Sequence, residues 1–343
     1  MKVLVTGNQG YIGTVLTEIL ETKNYEVIGY DVGYFEDCNL KYIKNNLHQI
    51  KKDIRDISQD NLDDIDFVIH LSGLSNDPLG EFNKKLTEEI NYSATIKLAK
   101  LAKKAGVKRF IYASSQSMYG ISSNDSELDE YESEKKPVTE YAKTKWKAET
   151  ELNKLNSEDF TVVSFRPSTV FGSSPRLRCD IVFNNFVACA YTTGKIEIKS
   201  DGSPWRPVIH VKDVCSAFIS GIEAPKKLVS GKAFNVGIKD GNYTVKQLAE
   251  SAKKAVPGSE IYFSNEHTDP RTYRVNFSRI LNDLKEYYKP VWNLDLGAQE
   301  LKSFFEEIKF TKEDFYGYKT NRLLCLKKEY LNKFDSNLKK IIN

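Results

Sequence analysis

Tyr141 and Lys145 stand four residues apart in the string Y-A-K-T-K. On a helix, that spacing projects both side chains from one face. A free phenol has a pKa of about 10, so roughly one in a thousand is ionised at pH 7. An ammonium beside it can lower that value by about 1–3 units. The pair therefore predicts a phenolate that takes a hydroxyl proton as a general base, a role typically worth about 10²- to 10⁴-fold in rate. Y-x-x-x-K alone is more often a solvated helix face, so its company matters. Ser114–Gly120 read S-S-Q-S-M-Y-G, and a serine there can bond both a substrate oxygen and the Tyr hydroxyl.

The second group with chemistry is T-G-N-Q-G-Y-I-G, Thr6–Gly13, directly after the apolar run Val3-Leu4-Val5. Gly7, Gly10 and Gly13 are spaced G-x-x-G-x-x-G, one residue longer in the first gap than the usual dinucleotide fingerprint. Backbone N–H groups from Gly7 to Gly13, with Gln9, Tyr11 and Ile12 between the glycines, would approach a diphosphate at a helix N-terminus whose dipole favours negative charge. Three glycines could mark an ordinary strand–helix turn, but this string follows the first strand of the chain. Asp31 ends the next candidate strand, at G-Y-D. A carboxylate there accepts from ribose hydroxyls and repels a 2′-phosphate, which favours NAD over NADP. Asp53 and Ile54 would lie beside the adenine, and Leu71, Ser72 and Gly73 along the middle of the cofactor. A positively charged nicotinamide would further acidify Tyr141, which removes a hydroxyl proton as hydride leaves the same carbon. Lys145 would hold the nicotinamide ribose.

These groups need a scaffold with ligands at strand ends. Candidate strands are 2–5, 26–30, the run into Asp53, 67–71, 109–113 and 161–165, with helical stretches such as 12–21 and 96–105 between them. Strands alternating with helices predict βαβ units and a parallel sheet with right-handed crossovers. After Gly172 the rhythm is irregular: helix 181–191, strand 195–198, strand 208–211, helix 213–222, strand 233–236 and helix 245–256. The expected fold is α/β, a Rossmann-type doubly wound parallel sheet with a smaller α/β substrate-binding lobe. Its expected boundaries are residues 1–170, with about 205–238 returning to the sheet, for the NAD-binding domain, and 171–204 with 239–309 for the lobe. The tail, 310–343, reads as a helical extension with a buried stripe of Leu323, Leu324, Leu326, Tyr330, Leu331 and Phe334.

The 343 residues carry a net charge of +3 with 28% charged and 40% apolar residues. That is ordinary globular composition, and the charge is too small to imply a nucleic-acid or membrane partner. No run approaches about 18 consecutive apolar residues, which argues against a transmembrane helix. Cys38, Cys179, Cys189, Cys215 and Cys325 are scattered without metal-ligand spacing, so free thiols and no metal site are expected. The first residues enter a strand at once, leaving no room for a signal peptide. A cytoplasmic protein is expected.

The chain resembles the extended short-chain dehydrogenases/reductases, the nucleotide-sugar epimerase/dehydratase family, over about residues 1–305. Besides the strings above, the matching motifs are D-I-R-D (Asp53–Asp56), H-L-S-G (His70–Gly73), F-R-P-S-T-V-F-G (Phe165–Gly172), S-D-G-S-P-W-R-P-V-I-H-V-K-D-V (Ser200–Val214) and F-N-V-G (Phe234–Gly237). The resemblance implies Tyr141 as base, Lys145 as its partner and Ser115 as the catalytic hydroxyl. It also implies that Asn184 or Asn185, Arg206 and Arg271 hold the nucleotide and diphosphate of a sugar donor, with Ser117 in the substrate-binding set. It implies a homodimer too, pairing through helices near 86–105 and 141–155. His210 and Asp213 are expected to be structural.

Departures from the pattern narrow the chemistry. The 4,6-dehydratases of the family resemble Thr-Asp-Glu where this chain has Ser115-Gln116-Ser117. Eliminating water needs an acid and a base there, so dehydration is disfavoured. The 3,5-epimerase/4-reductases usually carry a Cys where Ser117 stands, and they use NADPH, against which Asp31 argues. The expected activity is an NAD-dependent nucleoside-diphosphate-sugar epimerase that transiently oxidises the sugar at C4. The rivals are a net dehydrogenase or 4-keto-reductase and, from another class, a dinucleotide-sensing module without turnover.

Overall fold

The computed structural model describes residues 1–43, 47–121, 126–264, 272–333 and 338. In chain order the first half holds β1 (Lys2–Thr6), α1 (Tyr11–Thr22), β2 (Glu26–Tyr30), β3 (His48–Ile50), β4 (Phe67–His70), α2 (Asp77–Phe82), α3 (Lys84–Glu88), α4 (Ala94–Lys104), β5 (Arg109–Ala113), α5 (Glu140–Leu155) and β6 (Thr161–Pro167). A π turn, Glu89–Ser93, joins α3 to α4. The second half holds β7 (Thr169–Phe171), α6 (Val182–Thr193), β8 (Lys195–Ile198), β9 (Trp205–His210), α7 (Val211–Glu223), α8 (Lys226–Val229), β10 (Lys232–Val236), β11 (Asn242–Thr244), α9 (Val245–Ala255) and β12 (Glu260–Phe263). It ends with α10 (Ser278–Asp283), α11 (Leu294–Glu307), α12 (Lys312–Tyr316) and α13 (Arg322–Lys333).

Seven strands form a parallel sheet in the order β10-β6-β5-β4-β1-β2-β3. Period-2 alternation divides its side chains between two cores. Val3, Val5, Ile69, Ile111 and Phe165 pack with Leu16 and Leu20 of α1 and Phe218 of α7. Leu4, Val68, Phe110, Tyr112 and Val162 face the opposite way, onto Leu98 of α4 and Ala148 and Leu152 of α5. The fold is the expected doubly wound α/β sheet. Its strand order reverses between β1 and β4, and such a switch point opens a crevice at the carboxyl ends of the strands. Thr6 and His70 close those two strands, joined Oγ1 to Nδ1 at 2.6 Å.

The second half departs from expectation at one strand. Residues 208–211 were expected to rejoin the main sheet; instead β9 pairs with β7 and β11 in a separate three-stranded sheet. The edge beside β6 is already taken by β10, in register from Lys232↔Val163 to Val236↔Pro167. A third sheet pairs β8 with β12, a strand that the sequence pattern does not signal. In the tail, Leu326 and Cys325 are buried and Leu323 is half-buried, but Leu324 is 46% exposed, so it is not part of the stripe. Phe334 lies outside the described residues. Among the described residues no helix is long and apolar enough to cross a membrane, and no group of three or more His, Cys, Asp or Glu could hold a metal ion.

Candidate active site

The switch point opens into a continuous cavity of about 1020 Å³. Its first wall is the glycine loop. Gly7 has φ +71°, and a Cβ there would lie 2.7 Å from the Ser72 backbone nitrogen. A Cβ on Gly13 would lie 2.3 Å from the Gly7 carbonyl oxygen, so α1 could not start so close to the loop. Gly10 caps α1 without a side chain of its own. Gly7, Gly10, Tyr11, Ile12 and Gly13 all line the cavity. This cradle fits a dinucleotide diphosphate, which needs bare backbone and an uncovered helix N-terminus.

Two residues of that loop do other work. The Gln9 N–H donates to Asp31 Oδ2 at 3.1 Å, and Gln9 does not line the cavity; its Oε1 is buried without a partner among the described residues. Tyr11 donates its hydroxyl to the Gly172 carbonyl at 2.7 Å and accepts from Asn184 Nδ2 at 3.1 Å. Burial pushes that phenol far above its ordinary pKa, so Tyr11 is a neutral tether.

Asp31, Asp53, Ile54, Leu71, Ser72 and Gly73 line the same cavity. Asp31 Oδ1 accepts from the Gly33 N–H at 2.8 Å, which fixes the carboxylate at the end of β2. Burial raises its pKa, against the pull of the Gly33 and Gln9 amides and the Arg176 guanidinium. Asp53 is less free than its position suggests: Arg55 grips it, with Nη2 2.6 Å from Oδ2. Asn91, carried by the π turn, pins the loop after β4 by accepting from the Leu74 N–H and donating to its carbonyl.

Ser115, Tyr141 and Lys145 meet where β5 ends and α5 begins. Thr139 caps α5, its Oγ1 accepting from the Ala142 N–H and donating to Asp77 Oδ1 at 2.6 Å. Tyr141 and Lys145 follow on one face of α5, with the buried Glu149 a turn further on. Ser115 Oγ accepts from the Ser117 N–H and hydroxyl at 3.1 and 2.9 Å, and its hydroxyl is one of the groups that lower the Tyr141 pKa. Ser115, Ser117, Tyr141 and Lys145 all line the cavity.

The electrostatics differ from the simple expectation. Burial raises the Tyr141 pKa, the Ser115 hydrogen bond and the Arg178 charge lower it, and the Asp77 carboxylate raises it. Lys145 Nζ donates to the Ala113 carbonyl at 2.7 Å and sits 4.9 Å from the centre of the Tyr112 ring. Burial lowers its own pKa to about 8. The bond to Ala113 holds the ammonium against the end of strand β5 and leaves its other two N–H donors for a ligand.

At the far end the wall comes from the smaller lobe and includes Asn185, Glu197, Lys199, Arg206 and Tyr273. Of the expected pair, Asn185 faces the cavity, whereas Asn184 is fully buried between Tyr11, Gly172 and Arg178. Arg271 lies outside the described residues. His210 and Asp213 are structural: His210 stacks on Trp292 at 4.1 Å, and Asp213 accepts from the Val291 and Trp292 N–H groups. Arg178, Asp180 and Arg322 also line the cavity but carry no motif signal. The R-x-D spacing of the ion pair between Arg178 and Asp180, 2.8 Å apart, is its only trace in the sequence. Gln116, also at the wall, is 1% exposed, with its Nε2 donating to the Arg166 carbonyl at 3.0 Å.

A model of the NAD dependent epimerase/dehydratase family matches residues 3–237. Human dTDP-D-glucose 4,6-dehydratase is 30% identical over 260 residues, covering 73% of this chain and 72% of the human protein. UDP-glucose 4-epimerase of Bacillus subtilis is 26% identical over 304 residues, covering 76% of this chain and 84% of its own length. Among solved structures, UDP-glucose 4-epimerase from Thermotoga maritima with UDP-glucose superposes with a TM-score of 0.78 at 22% identity, covering 90% of this chain and all of its own. UDP-glucuronic acid 4-epimerase from Bacillus cereus, in complex with UDP-glucuronic acid and NAD, gives 0.75 at 23% identity with the same coverage. A glycine cradle at the switch point, a carboxylate after β2 and a Ser–Tyr–Lys group between the end of β5 and α5 thus coincide with a family match over most of the chain, which belongs to the NAD-dependent epimerase/dehydratase family.

Proposed function

We propose that this protein is an NAD-dependent epimerase of nucleoside-diphosphate hexoses that works by transient oxidation at C4. Gly7, Gly10, Gly13, Asp31, Ser72 and Lys145 would hold NAD, which when bound supplies the acceptor and donor of hydride. Tyr141 takes the sugar hydroxyl proton and later returns it, while Ser115 bonds the same oxygen and the phenol and so keeps the two aligned. The cavity lined by Asn185, Lys199 and Arg206 gives the nucleotide a place, since guanidinium and ammonium groups suit diphosphate oxygens. It also leaves room for the 4-keto sugar to turn over.

The observation that carries this reading is the pair Gln116 and Ser117 beside Ser115. Neither offers the carboxyl group that elimination of water requires. A second reading, dehydration, draws support from the 30% identity to the human dehydratase. One experiment separates them. Purified enzyme is incubated with a panel of UDP- and dTDP-hexoses, and products are read by NMR with absorbance followed at 340 nm. Epimerisation gives C4-inverted sugar, bound NAD(H) that copurifies and no net absorbance change. A 4-keto-6-deoxy product would establish dehydration instead, stoichiometric NADH a net dehydrogenase, and binding without conversion a sensor. A homodimer through the outer faces of α4 and α5 and a cytoplasmic location complete the proposal; sedimentation tests the first, and the five free cysteines support the second.

A further inference from the structure

Cys38 and Cys325 are separated by 287 positions in the chain, yet their sulfurs lie 3.1 Å apart. Neither is in a disulfide, and both are fully buried. They belong to two different bodies. Cys38 ends the short turn Glu36–Cys38 in the segment that follows Asp31, and Cys325 sits on α13 of the C-terminal extension. Around them the extension is fastened to that segment by polar contacts. Arg322 stacks over the Phe35 ring at 5.2 Å and donates Nη2 to the Arg176 carbonyl at 2.5 Å. The Tyr34 hydroxyl donates to the Leu338 carbonyl at 2.8 Å. Tyr34, Phe35 and Arg322 are themselves walls of the large cavity, next to Asp31 and Asp53. The extension thus covers one end of the cleft, and the sulfur pair is the joint between cover and cleft.

The environment suits oxidation. A hydrogen bond with Cys325 and the guanidinium groups of Arg322 and Arg176 hold the Cys38 thiol down at about 7, despite its burial. Cys179 and Cys215, by contrast, are pushed far up by burial and have no second sulfur within hydrogen-bond reach among the described residues. A thiolate next to a resolving thiol is the arrangement of redox-sensitive pairs.

We propose that Cys38 and Cys325 form a redox-modification site, in which a small hydroperoxide converts the pair to a disulfide that locks the C-terminal extension over the adenosine end of the cleft and slows dinucleotide exchange. The effect on exchange rests on NAD lying along Asp31 and Asp53, as proposed above. In the first step the Cys38 thiolate attacks a peroxide oxygen: an S–O bond forms, the O–O bond breaks, and the leaving hydroxide takes up a proton to become water. The Cys325 sulfur then attacks the Cys38 sulfenic sulfur, its proton going to the departing hydroxyl: the S–S bond forms, the S–O bond breaks, and a second water leaves. The two thiols lose two electrons and two hydrogens, and the peroxide gains them. The sulfurs must approach by about 1 Å to reach bonding distance. Because both sulfurs are fully buried, only an oxidant small enough to pass between the extension and the segment after Asp31 can reach them.

The test uses the full-length enzyme loaded with NAD. It is treated with hydrogen peroxide, alkylated after unfolding and mapped by mass spectrometry, and NAD release is timed in a chase before and after treatment. The proposal expects a Cys38–Cys325 linked peptide, alkylatable Cys179, Cys189 and Cys215, and NAD release slowed at least tenfold. Dithiothreitol should restore the original rate, and Cys38→Ser or Cys325→Ser should abolish the peroxide effect. Five free thiols after treatment, a different linked pair, or Cys38 over-oxidised without a link would each overturn the modification site. A linked protein that releases NAD at the unlinked rate would overturn the lock. An enzyme that binds no NAD would overturn the lock together with the cofactor placement, while the peptide map would still decide the thiol pair. The comparison of oxidised and reduced wild type needs no variant to fold.

Discussion

At Tyr141 the burial that keeps water out also holds the phenol above its ordinary pKa, while Ser115 and Arg178 pull it down. A base held in this balance gains from any positive charge brought into the cavity, such as a nicotinamide ring. Tyr141→Phe should therefore lower kcat by about 10²- to 10⁴-fold and leave NAD affinity close to wild type by calorimetry; retained turnover would remove Tyr141 from the mechanism. Lys145 yields a different kind of prediction. Its pKa falls from 10.5 to about 8, so between those values the unfolded chain binds a proton that the folded chain has released. Stability should rise with pH across that window, by at most about 1.4 kcal/mol per unit. Urea unfolding of wild type and Lys145→Met at pH 7.5 and 9.5 should show the wild type gaining on the variant; an unchanged difference would contradict the shift. Tyr141, Lys145, Ser115 and the three glycines were legible because their spacing is local. The role of Lys145 toward strand β5 was not, because the Ala113 carbonyl that accepts its hydrogen bond is 32 residues away. Asn184 misled for the same reason: its partners Tyr11 and Gly172 are close only after folding.

The face of α5 that carries Tyr141 and Lys145 is stapled to the sheet by a buried charge pair. Arg166 on β6 reaches Glu149 with Nη2 at 2.5 Å, and Ser114 donates to the other carboxylate oxygen at 2.5 Å. The two side chains are 3% and 7% exposed. Glu149→Ala leaves Arg166 charged, buried and unpaired, so it should cost about 3–5 kcal/mol, whereas replacing both partners with apolar residues should recover much of that loss. A double-mutant cycle in urea measures this, and additive losses would show that the two residues do not act as a pair. The strands of the main sheet were legible from their apolar runs, and five of them, expected at 2–5, 26–30, 67–71, 109–113 and 233–236, lie within one residue of those bounds. The place of β9 was not legible. A strand pattern says that a segment is extended but not which edge is vacant, and β10, later in the chain, fills the one beside β6. The short β7, β11 and β12 are too brief and too irregular to carry a period-2 signal.

At the scale of the molecule, the glycine-loop helix and the smaller lobe are joined through a few buried polar atoms. The Tyr11 hydroxyl reaches Gly172 and Asn184, Ser174 Oγ donates to the Tyr11 carbonyl at 2.8 Å, and Thr14 Oγ1 lies 3.0 Å from Ser174 Oγ. Nothing in the sequence announces this, since the partners are some 160 residues apart. The extension was legible only as a helix; its seat against Phe35, Tyr34 and Cys38 depends on contacts of nearly the full chain length. Because Tyr11 belongs to α1 and Asn184 to α6, NAD binding should slow amide hydrogen exchange across residues 182–193, and unchanged exchange there would break the link. The two binding regions therefore hang from one bolt. Where a dinucleotide that steadies the first half of the cleft stiffens the second, reciprocity requires a bound sugar nucleotide to tighten the grip on the dinucleotide by the same factor.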